Sequence, residues 1–194
     1  MLTDRFADAL GFAEKIHRKQ RRKGNDIPYV AHLLAVTSTV LEWGGDEDTA
    51  IAALLHDAVE DQGGEPMAEE IQRRYGDRVV ELVLHCTDSI STDPATKAPW
   101  EERKTAYLAR LASASPEAAL ITAADKIQNL TATIRDVRAH GAAALDRFAR
   151  PDRLIWYYAS VADAIAQHDG RVPLNELREA VAMLEALVTQ ADAA

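Results

Sequence analysis

The stretch Ile51-Ala52-Ala53-Leu54-Leu55-His56-Asp57-Ala58-Val59-Glu60-Asp61 joins an apolar, helix-like run to four side chains that can bind a metal ion or transfer a proton. A surface helix usually carries its charges on the side opposite its apolar face. Here an imidazole and three carboxylates follow the apolar run directly. Placing these groups beside core residues is unfavourable unless a cation compensates. The stretch predicts half of a metal site, on a helix that begins after Asp46 and ends at Gly63-Gly64.

Two isolated polar residues are candidates for the other half of the site. His32 lies among apolar residues of a predicted second helix, and Asp125 lies among small apolar residues of a predicted long helix. Taken singly, His32 could be a core histidine, and Asp125 could be a surface carboxylate paired with Lys126 or Arg135. A lone polar residue amid apolar ones is also the pattern of an inward-facing ligand, so both residues are predicted to approach the first half from other helices.

The candidate ligands are two imidazoles and two carboxylates, namely His32, His56, Asp57 and Asp125. Nitrogen and oxygen ligands without thiolate suit manganese, ferrous iron, cobalt or zinc. Two aspartates neutralise a divalent ion and leave it able to polarise water and to hold a phosphoryl oxygen. Glu60 and Asp61 follow one turn later. These two carboxylates are candidates to orient the water, take its proton or protonate a leaving oxygen.

Composition narrows the function classes further. The chain has 194 residues and a net charge of −9, which argues against a general binder of nucleic acid or anionic membranes. The single cysteine, Cys86, excludes an intramolecular disulfide and a multi-cysteine metal site. No segment approaches the roughly 20 apolar residues of a membrane span. The N-terminus lacks a signal-peptide pattern, so we expect a cytoplasmic protein.

Helical periodicity runs through nearly the whole sequence, and Ala and Leu favour helix over strand. We therefore predict an all-α fold, a helical bundle of about eight to ten helices. A single domain is expected over residues 1–194, with a core over 4–165 and an amphipathic C-terminal helix over 173–190. The first helix is predicted over 4–20, and residues 88–97 are predicted to form an exposed loop of undetermined role.

The order His32, His56-Asp57, Asp125 resembles the H…HD…D signature of the HD metal-dependent phosphohydrolases. More closely, the chain resembles the hydrolase module of the RelA/SpoT family and its small stand-alone members. The segments that carry this likeness are Lys19–Lys23, Ile27–His32, Ala53–Asp61 and Ala124–Leu130. The resemblance implies a single HD-type hydrolase domain.

The resemblance also implies an activity, a cofactor and a set of site residues. Family members of this kind remove the 3′-pyrophosphate from purine alarmones such as (p)ppGpp, giving GDP or GTP and pyrophosphate, usually with Mn²⁺ or another divalent transition metal. The implied metal ligands are His32, His56, Asp57 and Asp125, and the implied catalytic residues are Glu60 and Asp61. The implied substrate contacts are Arg22, Lys23, Asn129 and Tyr157. The chain departs from the family at Thr87-Asp88-Ser89-Ile90, near the expected phosphate side, which leaves substrate identity open.

Several alternatives stay open at this point. The substrate could instead be (p)ppApp, NADPH or a dNTP, or the site could bind a nucleotide without hydrolysing it. A helical scaffold without an ion is the plainest alternative. The basic run Arg18–Lys23 could be a solvated helix end, although a polyphosphate near Glu60 and Asp61 would need such cations. We expect a small-molecule nucleotide as partner, without nucleic acid or membrane, and leave a homo-oligomer open.

Overall fold

The computed structural model describes residues 1–90, 98–168 and 172–192. Over these residues the chain forms ten α-helices and no strand, which confirms the prediction of an all-α bundle. The helices are α1 (Asp4–His17), α2 (Val30–Glu42), α3 (Glu47–Leu55), α4 (Ala58–Gln62), α5 (Glu65–Tyr75), α6 (Asp77–Cys86), α7 (Trp100–Ala112), α8 (Pro116–His140), α9 (Leu154–Ile165) and α10 (Leu174–Asp192). Two 3₁₀ turns, Ala142–Arg147 and Pro151–Arg153, connect α8 to α9.

Helix α3 is the centre of the fold. Every residue from Thr49 to Leu55 is buried, and α1, α2, α6 and α8 pack around the helix. A helix that is apolar on all sides is stable only when other elements surround it. Its N-terminus is capped by Asp46, whose side chain accepts a hydrogen bond from the Thr49 amide at 3.0 Å. The end of α3 therefore delivers the next residue, His56, into the protein interior.

The prediction of one continuous helix through the His56–Asp61 stretch is wrong. Helix α3 ends at Leu55, α4 begins at Ala58, and His56 and Asp57 form the connection. In a continuous helix the Ala53 carbonyl would accept from the amide four residues later. Here the His56 Nδ1 atom lies 2.9 Å from the Ala53 carbonyl oxygen, so the side chain forms a hydrogen bond to that acceptor. The break turns both candidate ligands toward one point.

The long helix α8 forms one wall of the candidate site. Ser115 caps its N-terminus, and the helix packs against α2, α3, α6 and α9. Helix α10 packs on α8 and α9, away from the ligands. Helix α1 ends at His17, three residues before the predicted end, because Gln20 instead accepts a backbone hydrogen bond from Tyr29 at 3.1 Å and begins a loop.

The loop predicted over 88–97 is described only in part, because residues 91–97 lie outside the described residues. Asp88, at its start, has a buried side chain rather than an exposed one. None of the described helices combines the length and the apolar character that crossing a membrane would require.

Candidate metal centre and adjoining cleft

Four predicted ligands from three parts of the chain converge on one point. His32 comes from α2, His56 and Asp57 from the α3–α4 connection, and Asp125 from α8. One ligand atom each of His32, His56 and Asp57 lies within 4.8 Å of the other two. The Asp125 Oδ1 atom lies 3.2 Å from the His32 Nε2 atom and 3.6 Å from the His56 Nε2 atom. These distances are within the span of ligands that share one divalent ion.

The two imidazoles have the chemistry that a metal ion needs. Both rings are buried, and each Nε2 atom lies beside a carboxylate oxygen without completing a hydrogen bond among the described residues, at 3.2 Å for His32 and Asp125 and 3.0 Å for His56 and Asp57. The Ala53 carbonyl can only accept, so the His56 Nδ1 atom carries a proton and its Nε2 atom faces the carboxylates. Buried polar nitrogens without partners are unfavourable. A divalent cation between them would remove that penalty, so the residues present fit a metal ion.

The two carboxylates are held by neighbouring donors, and a carboxylate oxygen that accepts one hydrogen bond keeps a second lone pair for a cation. The Tyr29 hydroxyl donates to the Asp57 Oδ2 atom. The Lys126 ammonium donates to the Asp125 Oδ2 atom at 2.5 Å, and the Asn129 amide donates to the Asp125 Oδ1 atom at 2.5 Å. Burial opposes ionisation of Asp125, but Lys126 and the two imidazoles hold its pKa well below its usual value. Asp125 is therefore ionised and oriented before a cation arrives.

A cleft of about 410 Å³ opens beside the metal centre. Its basic side chains come from four separate segments. They are Arg22 and Lys23 before α2, Arg103 and Lys104 on α7, Lys126 on α8, and Arg147 and Arg150 between α8 and α9. Aromatic rings, including Trp100 and Tyr157, form part of the same wall. Cations suit phosphates and aromatic faces suit a flat base. The cleft therefore has the lining expected for a phosphorylated, ring-containing molecule.

Most of these cations already have an acidic partner. The Asp88 Oδ2 atom lies 2.6 Å from Arg103 Nη1 and 2.5 Å from Lys104 Nζ. Burial raises the pKa of Asp88, but the two cations outweigh that effect and lower it to about 2. Further along the cleft, Arg147 pairs with Asp136 at 2.8 Å. The cations are therefore fixed in place by carboxylates of the chain itself.

All four predicted substrate contacts line this cleft. The Arg22 guanidinium donates to the Asn129 side chain at 2.9 Å, which ties the loop after α1 to α8. Tyr157 is buried under Lys104, whose ammonium lies 4.9 Å from the ring centroid. Lys23 is exposed at the mouth of the cleft. The roles of these residues in substrate binding stay predictions.

The two predicted catalytic carboxylates have different surroundings. Glu60 lines the cleft. Asp61 is not among the residues of that lining, and its Oδ2 atom accepts a hydrogen bond from the Gln20 amide at 2.8 Å. Although Asp61 is partly exposed, desolvation by the surrounding protein and the nearby Asp57 and Glu60 charges raise the pKa of Asp61 to about 6. Asp61 therefore exchanges a proton close to neutral pH, as a general base or acid requires.

Sequence reasoning missed several residues that support the centre. Gln20 and Lys126 contact a predicted catalytic residue and a predicted ligand, and Asp88 organises the cations of α7. The sequence indicates Lys126 only as a surface partner for Asp125. The available signal was position, because Gln20 belongs to the stretch that carries the family likeness and Lys126 follows a ligand directly.

Comparison with known proteins agrees with this arrangement. The family model described as HD domain matches residues 9–157. The chain is 34% identical over 156 residues to guanosine-3′,5′-bis(diphosphate) 3′-pyrophosphohydrolase MESH1 of Drosophila melanogaster, covering 78% of this chain and 80% of that protein. The human protein of the same name is 35% identical over 126 residues, covering 63% of this chain and 66% of the human one.

A solved structure shares the whole architecture. A metazoan orthologue of SpoT, described as hydrolysing ppGpp, superposes with a TM-score of 0.71 at 29% identity, over 98% of this chain and 97% of the other. The segment matched by the HD domain family model, residues 9–157, contains His32, the His56-Asp57 pair and Asp125. With this match over most of the chain, the protein belongs to the HD domain family.

Proposed function

We propose that this protein is a metal-dependent hydrolase that removes the 3′-pyrophosphate from a guanosine alarmone such as (p)ppGpp, giving GDP or GTP and pyrophosphate. The observation that carries the proposal is the convergence of two imidazoles and two carboxylates beside a cleft lined with cations. The names of the fly and human relatives, which share about a third of their aligned residues with this chain, support the same activity.

The metal would be held by His32, His56, Asp57 and Asp125, and we propose Mn²⁺ as the ion. A divalent cation bound there supplies Lewis acidity to a water and to a phosphoryl oxygen. The set contains no thiolate, which favours manganese or another ion that accepts imidazole and carboxylate. Tyr29 and Lys126 keep the two carboxylates in position for the ion.

Glu60 and Asp61 are proposed to handle protons. Asp61, with a pKa of about 6, would accept a proton from the attacking water near neutral pH. Glu60 faces the cleft, where it would orient the water or return a proton to the leaving 3′ oxygen. Dividing the work between two carboxylates in different surroundings is a common way to run acid and base chemistry at one pH.

The basic and aromatic lining is proposed to hold the nucleotide. Arg22 and Lys23 would contact the base and a phosphate, since a guanidinium stacks on rings while an ammonium acts as a compact charge. Asn129, which lines the cleft, is proposed to contact the ribose, and Tyr157 is proposed to support the phosphate side through Lys104. These contacts would keep the polyphosphate close to the metal despite the negative charge of Glu60 and Asp61.

The experiment is product analysis with purified protein stripped of metal by a chelator. We expect conversion of ppGpp to GDP and pyrophosphate only after Mn²⁺ is restored. Anion-exchange chromatography measures the conversion. The variant with Glu60→Gln and Asp61→Asn should lose turnover yet keep its bound Mn²⁺, because neither residue is a proposed ligand. Glu69→Gln, on the exposed face of α5, is the matched control.

Full turnover by metal-free protein would refute the proposal. Loss of Mn²⁺ from the double variant would show that the division between ligands and catalytic residues is wrong. Competition between ppGpp and its adenine counterpart would measure base preference, while tight binding without turnover would favour a binding module. The single-domain organisation, the cytoplasmic location, the absence of nucleic-acid and membrane partners, and homo-oligomerisation stay predictions.

A further inference from the structure

Asp61 is supported by a residue outside its own helix. Its Oδ2 atom accepts a hydrogen bond at 2.8 Å from the Nε2 atom of Gln20, which lies in the loop after α1. Asp61 is the residue that the proposed function assigns to a proton near neutral pH. A group that accepts a proton in a transition state must be held within a fraction of an ångström of its working position. The residue that fixes Asp61 therefore affects the rate.

The orientation of the Gln20 amide is fixed from its other end. Its Oε1 atom lies 2.6 Å from His17 Nδ1 and 2.5 Å from Gln62 Nε2. A carbonyl oxygen only accepts hydrogen bonds, so His17 Nδ1 and Gln62 Nε2 are both donors. With the oxygen occupied by these donors, the NH₂ group of Gln20 must face Asp61. The reversed amide would place its oxygen against the Asp61 carboxylate and its NH₂ group against the Gln62 donor.

The backbone of Gln20 is fixed as well. Its amide donates to the His17 carbonyl at 2.9 Å, and its carbonyl accepts from the Tyr29 amide at 3.1 Å. The His17 side chain is 1% exposed, and its ring stacks on the Tyr29 ring with 5.3 Å between centroids. Tyr29 in turn donates to Asp57. One rigid group of side chains thus supports both a proposed ligand and Asp61.

A neutral donor has a particular consequence for Asp61. Its charged neighbours are Asp57, Glu60 and His56, of which the two carboxylates oppose its ionisation. A cationic partner in place of Gln20 would lower the pKa of a carboxylate by about 1–3 units. An amide satisfies one carboxylate oxygen without adding a positive charge. Asp61 can therefore be held in place without a further charge beside it.

We propose that Gln20 is a positioning residue for the Asp61 carboxylate, and that His17 and Gln62 fix the Gln20 amide in the orientation that donates to it. The inference rests on the proposed function only for the meaning of Asp61 in turnover. The contacts themselves are independent of substrate and of metal. Gln20 acts through Asp61 and needs no contact with the reacting atoms.

The test is Gln20→Leu, which keeps most of the side-chain volume and removes the donor. In the Mn²⁺-loaded enzyme we expect kcat to fall about tenfold to hundredfold, since a well-placed general base contributes on the order of 10²–10⁴ in rate. KM and the amount of bound Mn²⁺ should stay within about twofold, because neither proposed ligands nor cleft residues change. Gln72→Leu removes an exposed amide on α5 and serves as the matched control.

A second readout does not depend on activity. Carboxyl ¹³C NMR of aspartate-labelled protein, with Asp61→Asn to assign the signal, gives the pKa of Asp61 directly. We expect this pKa to rise in Gln20→Leu, because the lost hydrogen bond favours the charged carboxylate. His17→Leu should produce the same changes, whereas His17→Asn should restore them in part, since its amide can place a donor where Nδ1 lies.

An unchanged kcat together with an unchanged Asp61 titration in Gln20→Leu would overturn the inference. A parallel loss in His17→Leu and His17→Asn would contradict the role given to the Nδ1 donor. If the wild-type protein hydrolyses no guanosine alarmone, the proposed function is wrong. The NMR titration then still decides whether Gln20 holds Asp61.

Discussion

Lys126 determines which oxygen of Asp125 remains available to a cation. Its ammonium binds the Oδ2 atom, so the Oδ1 atom faces the two imidazoles. Both side chains are nearly buried, at 14% and 9% exposure. Removing one partner of a buried ion pair leaves an uncompensated charge, which is more harmful than losing the pair as a whole.

We expect Lys126→Met to destabilise the metal-free protein by about 3 kcal/mol, because the buried Asp125 charge then loses its lysine partner. Added Mn²⁺ should restore part of this loss, since the ion supplies the missing positive charge. Urea unfolding with and without Mn²⁺ measures both effects. Lys126→Arg keeps the cation and should lose less, so equal losses in the two variants would argue against the charge explanation.

Single residues also show how far the sequence alone can reach. His32 and Asp125 could be identified because each is a polar residue in an apolar helical run, a pattern visible within a few positions. Gln20 and Asp88 give no such local pattern, because their contacts join residues 41 and 16 positions apart. The local sequence pattern identifies a ligand residue that lies within an apolar run of core residues. It does not identify a polar residue whose partner is supplied by a distant element.

At the scale of elements, the sequence predicts the helical content but does not predict the helix break at His56-Asp57. The surrounding residues are good helix formers, and neither glycine nor proline marks the interruption. The break depends instead on the His56 ring, which reaches back to the Ala53 carbonyl, and on a buried α3 that ends where the cation would lie. The C-terminus of α3 is therefore determined by tertiary contacts, which the hydrophobic periodicity of the sequence does not predict.

The N-terminus of α3 offers a test of how this buried helix is held. Asp46 accepts from the Thr49 amide and pairs with Arg78 at 2.7 Å. Burial alone would raise the pKa of Asp46, but the hydrogen bonds from Thr49 and Arg78 lower it to about 2. Because the unfolded value is about 4, the stabilisation is complete above pH 4 and is lost as the pH falls toward 2.

We expect Asp46→Ala to lower the free energy of unfolding at pH 7 by about 1 kcal/mol, the usual effect of removing an N-cap. Asp46→Asn keeps an acceptor for the Thr49 amide and should lose less. The difference between wild type and Asp46→Asn should shrink from about pH 4 to about pH 2, because only the wild-type side chain titrates. Denaturant unfolding across that range checks this, and a constant difference would contradict it.

For the molecule as a whole, the proposed ligands connect three parts of the chain that are far apart in sequence. They come from α2, from the α3–α4 connection and from α8, which together surround the core. An ion that binds the folded state alone stabilises it by mass action. Metal loading should therefore be visible in the stability of the entire protein rather than in one loop.

We expect Mn²⁺ at about 100 times its Kd to add about 2.7 kcal/mol to the stability of chelator-treated protein. For a chain of this size that corresponds to a rise in Tm of roughly 5–10 °C. His56→Ala should abolish the rise, whereas His140→Ala, at the exposed end of α8, should keep it. Differential scanning calorimetry measures the shift, and an equal rise in both variants would place the ion elsewhere.

The pairing of the cleft cations has a consequence for recognition. Arg103 and Lys104 share the single Asp88 carboxylate, and Arg147 pairs with Asp136, before any ligand enters. An incoming polyanion must therefore compete with carboxylates for these cations instead of meeting bare positive charge. A lone phosphate gains little from such an exchange, while a molecule with several phosphates can replace several carboxylates at once. Competition from these carboxylates would therefore favour the binding of multiply phosphorylated molecules over that of simple anions.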